Sequence, residues 1–100
     1  MGLAELTERV RTEAARHPDF SHRVKLDLGQ TGVILWDGTA SPPAVSNENA
    51  AAEAAIGMTP ETLSAILDRT LDPGDAWFDG LFTVEGSTAA ALALGQLFVD

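Results

Sequence analysis

The stretch from Leu71 to Phe98 constrains the fold more than any other part of the sequence, because it encodes three elements with almost no linker between them. Asp72 suits the N-cap of a helix, and Pro73 suits its first position because proline has a fixed φ and no N–H. Gly80 is expected to end this short helix. Residues 82–85 then alternate between apolar and polar side chains, which predicts a strand with one buried face.

A second helix is predicted to follow at once. Gly86 breaks the strand, and Ser87 suits the N-cap of the helix. Residues 87–99 include no charged side chain, and a helix that is apolar all round is typically buried on more than one side. We expect Trp77 and Phe78, the apolar strand face and this helix to point towards one interior. Such an arrangement can enclose an apolar cavity.

This pattern resembles the signature of the sterol carrier protein type 2 (sterol-binding domain) family, in the form of a small bacterial-type single-domain member. The matching segments, in unchanged order, are Val24-Lys25-Leu26-Asp27-Leu28, Gly32-Val33-Ile34-Leu35-Trp36-Asp37, Ala54-Ala55-Ile56-Gly57-Met58-Thr59 and Asp72-Pro73-x-x-Ala76-Trp77-Phe78-x-Gly80-x-Phe82-x-Val84-x-Gly86. The resemblance implies an α+β fold in which helices cover a five-stranded, mostly antiparallel sheet. It also implies a hydrophobic tunnel, which in that family takes fatty acyl chains, acyl-CoA, sterols or other lipids.

The rest of the chain is expected to complete one domain over residues 1–100. An N-terminal helix is predicted within residues 1–17 from the apolar stripe Leu3, Leu6, Val10 and Ala14. Residues 22–100 would then hold the sheet, a long loop and the last helix. The strand predicted at 33–36 is apolar on both faces, so it should be central in the sheet or covered on both faces. Pro43-Ala44-Val45, inside the long loop, predicts a short edge strand.

Two signals conflict between Ala52 and Met58. Alanine favours helix over strand, so propensity alone extends a helix through residues 49–55. The family resemblance instead implies a strand here, and we take the strand as the prediction. Thr59 and Pro60 then begin a helix as its N-cap and first residue, with a buried stripe of Leu63, Ile66 and Leu67.

Composition narrows the function. A net charge of −9 and an isoelectric point near 4.4 argue against nucleic acid and anionic membrane surfaces as partners, because both would repel the protein. The absence of cysteine excludes disulfides and thiolate metal sites and fits a reducing cytoplasm. No signal peptide and no membrane-spanning stretch are recognisable, so we expect a cytoplasmic protein without stable membrane insertion.

No catalytic, metal or cofactor motif stands out. His17 and His22 are not spaced as metal ligands, and two exposed loop histidines are the simpler interpretation. Asp72, Asp75 and Asp79 could hold a hard cation, but helix capping and helix-dipole complementarity explain the first two more simply. We therefore predict no enzyme, no cofactor and no metal.

What remains is an apolar binding site. The predicted lining is Ile66, Leu67, Trp77, Phe78, Phe82, Leu94, Leu97 and Phe98, and plain core packing is the alternative for each of them. The last helix of the resembled family normally carries a Lys and a Gln. Here Gly95 stands where the Gln is usual, and the adjacent Gln96 is the candidate for polar orientation of a ligand.

The predicted function is non-enzymatic binding of a fatty acyl, sterol-like or isoprenoid molecule, as a carrier or reservoir. The alternative is a ligand-free dimerisation or protein-interaction module that keeps the fold but fills its core with side chains. A homodimer is predicted through Leu81 and the uncharged last helix, because Leu81 falls on the outward strand face, where the resembled family often has Lys.

Overall fold

A computed structural model describes residues 2–99 as four α-helices and five strands. The helices are α1 (Leu3–Arg16), α2 (Pro60–Leu67), α3 (Pro73–Phe78) and α4 (Thr88–Gln96). The strands are β1 (Arg23–Asp27), β2 (Val33–Asp37), β3 (Ala44–Ser46), β4 (Ala54–Gly57) and β5 (Thr83–Gly86), and a short 3₁₀ turn at Gly29–Thr31 joins the first two.

The strands form one mixed sheet in the order β3-β2-β1-β4-β5. Only β1 and β4 pair in parallel, with Leu26 opposite Ile56, and the other three pairings are antiparallel. The five-stranded, mostly antiparallel sheet implied by the family resemblance is confirmed. The predicted edge strand around Val45 is also confirmed, since β3 pairs on one side only, with β2.

The strand β4 forms although its alanines favour helix. It pairs on both sides, with β1 and with β5, so its backbone hydrogen bonds depend on the sheet rather than on local propensity. Ala54 is 1% exposed and faces the core. A Cβ at Gly57 would come within 2.3 Å of the Thr83 hydroxyl, so a side chain there would require the Thr83 side chain to rotate away. Small residues at this point let neighbouring strands approach.

The apolar core lies between one face of the sheet and the helices. Val24, Trp36 and Ile34 are fully buried on this face, together with Leu6 and Val10 of α1. The predicted buried stripes of the first two helices are confirmed. The helix ends follow their sequence signals as well, because Thr59, Asp72 and Ser87 each accept a hydrogen bond from a backbone N–H of the first turn.

The loop between β3 and β4 contacts the opposite face of the sheet. Leu35, on β2, points away from the helices and is only 3% exposed. The loop connects β3, at one edge of the sheet, to β4 on the far side of β1. Within this loop, the Asn49 side-chain oxygen accepts a 2.8 Å hydrogen bond from the ammonium group of Lys25. The expectation that β2 is central in the sheet or covered on both faces is confirmed, since it lies between β3 and β1 and Leu35 is buried on its second face.

Candidate functional site

A cavity of about 440 Å³ lies between the helix-covered face of the sheet and the four helices. The sheet contributes Leu26, Trp36, Ile56 and Val84 to its lining, and α1 and α2 contribute Val10, Leu63 and Ile66. The α3 region contributes Asp72, Pro73, Gly74 and Trp77, and Met58 and Phe82 line it from the segments that flank the strands. The last helix and the segment after it contribute Thr88, Ala91, Leu92, Leu94, Gly95, Gln96, Phe98 and Val99.

The floor of the cavity is buried and apolar. Trp36 and Val10 are fully buried, and Leu26, Leu63 and Ile66 are each less than 5% exposed. Trp36 packs edge-on against Phe20 at a ring-centroid distance of 5.4 Å. The Trp36 ring is therefore packed in the core and also forms part of the cavity floor.

The rim of the cavity is open to solvent. Trp77, Leu92 and Val99 line the cavity and are 54%, 62% and 52% exposed. The polar side chains of the lining, Asp72, Thr88 and Gln96, belong to exposed residues. A ligand with one polar end would therefore find its hydrogen-bonding partners at the rim and apolar surface everywhere deeper.

The Asp72 carboxylate is already engaged at this rim. It caps α3 by accepting hydrogen bonds from the N–H groups of Gly74 and Asp75, at 2.7 and 3.2 Å. No Lys or Arg belongs to the cavity lining among the described residues. The rim therefore offers amide, hydroxyl and carboxylate groups but no cation.

The predicted site residues fall into two groups. Six of the nine lie on the cavity, namely Ile66, Trp77, Phe82, Leu94, Phe98 and the polar Gln96. Leu67 does not line it and is buried in the core, and Leu97 packs partly buried against the core. Phe78 is 89% exposed and lies outside the cavity.

Helix geometry explains this division. Trp77 and Phe78 are neighbours in α3, and neighbouring side chains on a helix point about 100° apart, so only one of them can face the cavity. The same rotation separates Ile66, which lines the cavity, from Leu67 in α2. Pattern reasoning placed these residues in the right region but could not choose between adjacent positions.

Several lining residues were missed by sequence reasoning. Ala91 and Gly95 lie one helical turn apart on α4, and their small size leaves the space that larger residues enclose. The i, i+4 spacing of two small residues on a helix without charged side chains could have indicated that this helix face lines a cavity. Met58, which joins β4 to α2, gave no such signal.

Two exposed apolar side chains follow the rim residue Trp77 in sequence. Phe78 and Leu81, which is 43% exposed, are close in sequence to Trp77 at the end of α3. Large contiguous apolar surfaces are uncommon on monomeric proteins and often mark contact sites.

The clearest electrostatic effects lie away from the cavity. A hydrogen bond with His22 lowers the pKa of the Glu53 carboxyl below its ordinary value, and the backbone N–H of Arg23 adds to the effect. A hydrogen bond from the Thr39 hydroxyl likewise lowers the pKa of Asp37. The carboxylates of Glu53 and Asp37 thus form hydrogen bonds at the ends of strands and in loops. Within residues 2–99, no group of three or more His, Asp or Glu is arranged to hold a metal ion.

An α+β domain with an apolar cavity between helices and sheet, open at its rim, has the form of a small domain that binds an apolar molecule. The sequence matches the SCP-2 sterol transfer family over residues 3–99, and the chain therefore belongs to this family, whose members bind or transfer lipids. No curated protein sequence matches the chain. In the described part of the chain, no helix is long and apolar enough to cross a membrane.

Solved structures agree with the fold. The solution structure of palmitated SCP2L2 from Aedes aegypti superposes with a TM-score of 0.75 at 20% identity, covering 100% of this chain and 96% of that one. The crystal structure of sterol carrier protein 2 like 2 from the same organism gives 0.72 at 22% identity, covering 95% and 98%. The apo form of sterol carrier protein 2 from Yarrowia lipolytica gives 0.68 at 12% identity, covering 93% and 83%.

Proposed function

We propose that this protein binds a lipid-class molecule, with a fatty acyl, sterol-like or isoprenoid apolar part, non-covalently in the cavity. It would act as a carrier or reservoir, without catalysis, in the cytoplasm. The observation that carries the proposal is the cavity of about 440 Å³, whose buried walls are apolar and whose polar groups are confined to an open rim. The cavity would serve as the family's hydrophobic tunnel.

The energetics support such a ligand. Each methylene moved from water onto apolar surface is stabilised by about 0.8 kcal/mol, so a long apolar chain needs few polar contacts for useful affinity. The similar Aedes aegypti structure is of a palmitated protein, which supports a fatty acyl occupant. The rim of this chain differs from a carboxylate receptor in that no lysine or arginine lines it. Gln96 and Thr88 fit a neutral head group, such as a hydroxyl or an ester.

Native mass spectrometry of the freshly purified protein tests the proposal. We expect added mass from a co-purified apolar molecule, and displacement of that mass by an excess of a fluorescent acyl probe. The matched variants are Ala91→Phe, which adds a ring inside the cavity, and Ala89→Phe, which adds it on the exposed face of the same helix.

The probe should bind to the wild type and to Ala89→Phe, and only weakly to Ala91→Phe. Equal binding to all three proteins would mean that the probe occupies a different site. An apo mass without any probe uptake would refute the carrier function.

The second candidate is the ligand-free dimerisation or interaction module. Exposed apolar side chains favour a covered surface at this place, since Phe78, Leu81 and Leu92 are 89%, 43% and 62% exposed. We propose that a second copy of the chain covers Leu81 and α4, while the open cavity favours the carrier function over a filled core. A strictly monomeric mass at high micromolar concentration would refute the homodimer.

A further inference from the structure

Two helices of this protein end in the same backbone motif but with different residues at its critical position. After α3, Gly80 takes up a left-handed conformation (φ 75°), and Leu81 N–H bonds back to the Ala76 carbonyl at 2.9 Å. After α2, Arg69 takes the equivalent position with φ 62°, and Thr70 N–H bonds back to the Ala65 carbonyl at 3.0 Å. Both are Schellman endings, in which glycine is the usual left-handed residue.

An arginine at this position is disfavoured by its Cβ, so its presence points to a use for the side chain. Arg69 is the only non-glycine residue with a positive φ among residues 2–99. Its guanidinium group donates two parallel hydrogen bonds to the Glu13 carboxylate of α1, at 3.1 and 3.2 Å. Glu13 is only 7% exposed, and such charge-assisted, bidentate pairs are among the stronger hydrogen bonds in proteins.

The same guanidinium group also contacts an aromatic residue in the wall of the cavity. Its central carbon lies 5.0 Å from the ring centroid of Phe98, a cation–π arrangement. Phe98 lines the cavity, and its ring meets Trp36 edge-on at 6.4 Å, on the floor. Phe98 lies just beyond the end of α4, in a turn where its N–H donates a 3.1 Å hydrogen bond to the Gly95 carbonyl. The backbone therefore places the residue, and its side-chain contacts place the ring.

We propose that Glu13, Arg69 and Phe98 form a clamp that fixes this wall and thereby sets the longest apolar chain that the cavity accepts. The inference rests on the proposed function and extends it from the presence of a ligand to its size. Phe98 and Trp36 both line the cavity and their rings meet edge-on, so removing the Phe98 ring would enlarge the apolar space along the floor. Arg69 acts here as a positioning residue, since it does not line the cavity itself.

A purely structural role for Arg69 predicts something different. If the arginine only joined α1 to the end of α2, its loss would change stability and leave ligand selection unchanged. The chain-length profile of binding separates the two, because each methylene that is accommodated raises affinity about fourfold. The length at which this increase stops reports the position of the wall.

The experiment displaces a fluorescent acyl probe from the full chain with straight-chain alcohols that lengthen by two carbons at a time. The variants are Phe98→Ala, which removes the wall, and Arg69→Gly, which removes the clamp while placing the favoured residue at the left-handed position. Arg69→Lys keeps the charge opposite Glu13. Leu97→Ala is the control, because it removes apolar bulk next to Phe98 from a side chain that does not line the cavity.

We expect wild type, Arg69→Lys and Leu97→Ala to stop gaining affinity at the same chain length. Phe98→Ala and Arg69→Gly should continue to gain about fourfold per added methylene beyond that length. Arg69→Gly is expected to fold, so its result stands even if Phe98→Ala unfolds. An unchanged limit in Arg69→Gly, or an equal shift in Leu97→Ala, would overturn the clamp alone. Failure of the wild type to bind the probe would overturn the proposed function and the clamp with it.

Discussion

Gly95 allows the cavity to be filled from within a helix without disturbing the core. It lies in α4 and lines the cavity, and a Cβ built there would meet only the Cβ of Pro73, at an ordinary contact distance of 3.7 Å. Gly95→Ala should therefore raise the free energy of unfolding by about 0.5–1 kcal/mol, because alanine favours helix over glycine. Position 95 lies near the end of α4, where the gain is smaller than in the middle of a helix. For a domain of this size, that corresponds to a rise in Tm of roughly 2–8 °C.

Gly95→Leu adds four carbon atoms, and the cavity is the open space beside them. If each carbon displaces about one ligand methylene, the loss is about 3 kcal/mol, or roughly 200-fold in affinity. Gly95→Ala should lose at most about fourfold by the same reasoning. Thermal unfolding followed by circular dichroism and titration with the acyl probe measure both quantities on the same samples.

Two results would contradict this reasoning. A fall in Tm for Gly95→Ala would mean that α3 and α4 are packed too closely for a methyl group. A folded Gly95→Leu protein with wild-type affinity would mean that the ligand does not occupy the space beside Gly95.

Three further predictions concern the framework around the site. Asp72→Ala should destabilise the protein by about 0.5–2 kcal/mol because α3 loses its N-cap, whereas Asp72→Asn should retain most of the stability in urea unfolding. Gly38→Ala should cost more than Gly80→Ala, since its Cβ would lie 2.1 Å from the Phe20 carbonyl oxygen. At Gly80 an added Cβ meets no neighbour and costs only the strain of a side chain at φ 75°, so equal losses would count against the close approach at Gly38. Glu53 has its pKa lowered in the folded state by the hydrogen bond with His22, so its stabilisation is present above its ordinary value of 4.5 and is lost as pH falls through the lower folded value. Unfolding curves between pH 7 and pH 3 should therefore show a weaker acid destabilisation in Glu53→Gln than in wild type, and identical slopes would refute the assignment.

The block from Leu71 to Phe98 could be read from sequence because its signals are local. Asp72 and Ser87 cap their helices through hydrogen bonds to residues two or three positions later, and Gly80 and Gly86 adopt positive φ values within the turns they form. Such signals depend on neighbouring residues alone. The element order and the approximate site were predictable for this reason.

The strand Ala54–Gly57 illustrates what local signals miss. Its alanines favour helix, and propensity taken by itself would have predicted one. These residues pair with β1 and β5, and both strands are distant from them in sequence. The pairing outweighs the helix propensity of alanine. The family resemblance supplied the correct prediction where the propensities of the residues did not.

By itself, the sequence determined the helices, the strand alternation and the apolar, cysteine-free character that makes a lipid-class ligand the natural expectation. Only the tertiary structure decided which of two adjacent side chains faces the cavity, as with Trp77 and Phe78, because that depends on the rotation of α3 against the sheet. It also decided that Arg69, Glu13 and Phe98 meet, although they come from three distant parts of the chain. Tertiary packing brings such residues together, and no local sequence pattern shows which residues will be in contact.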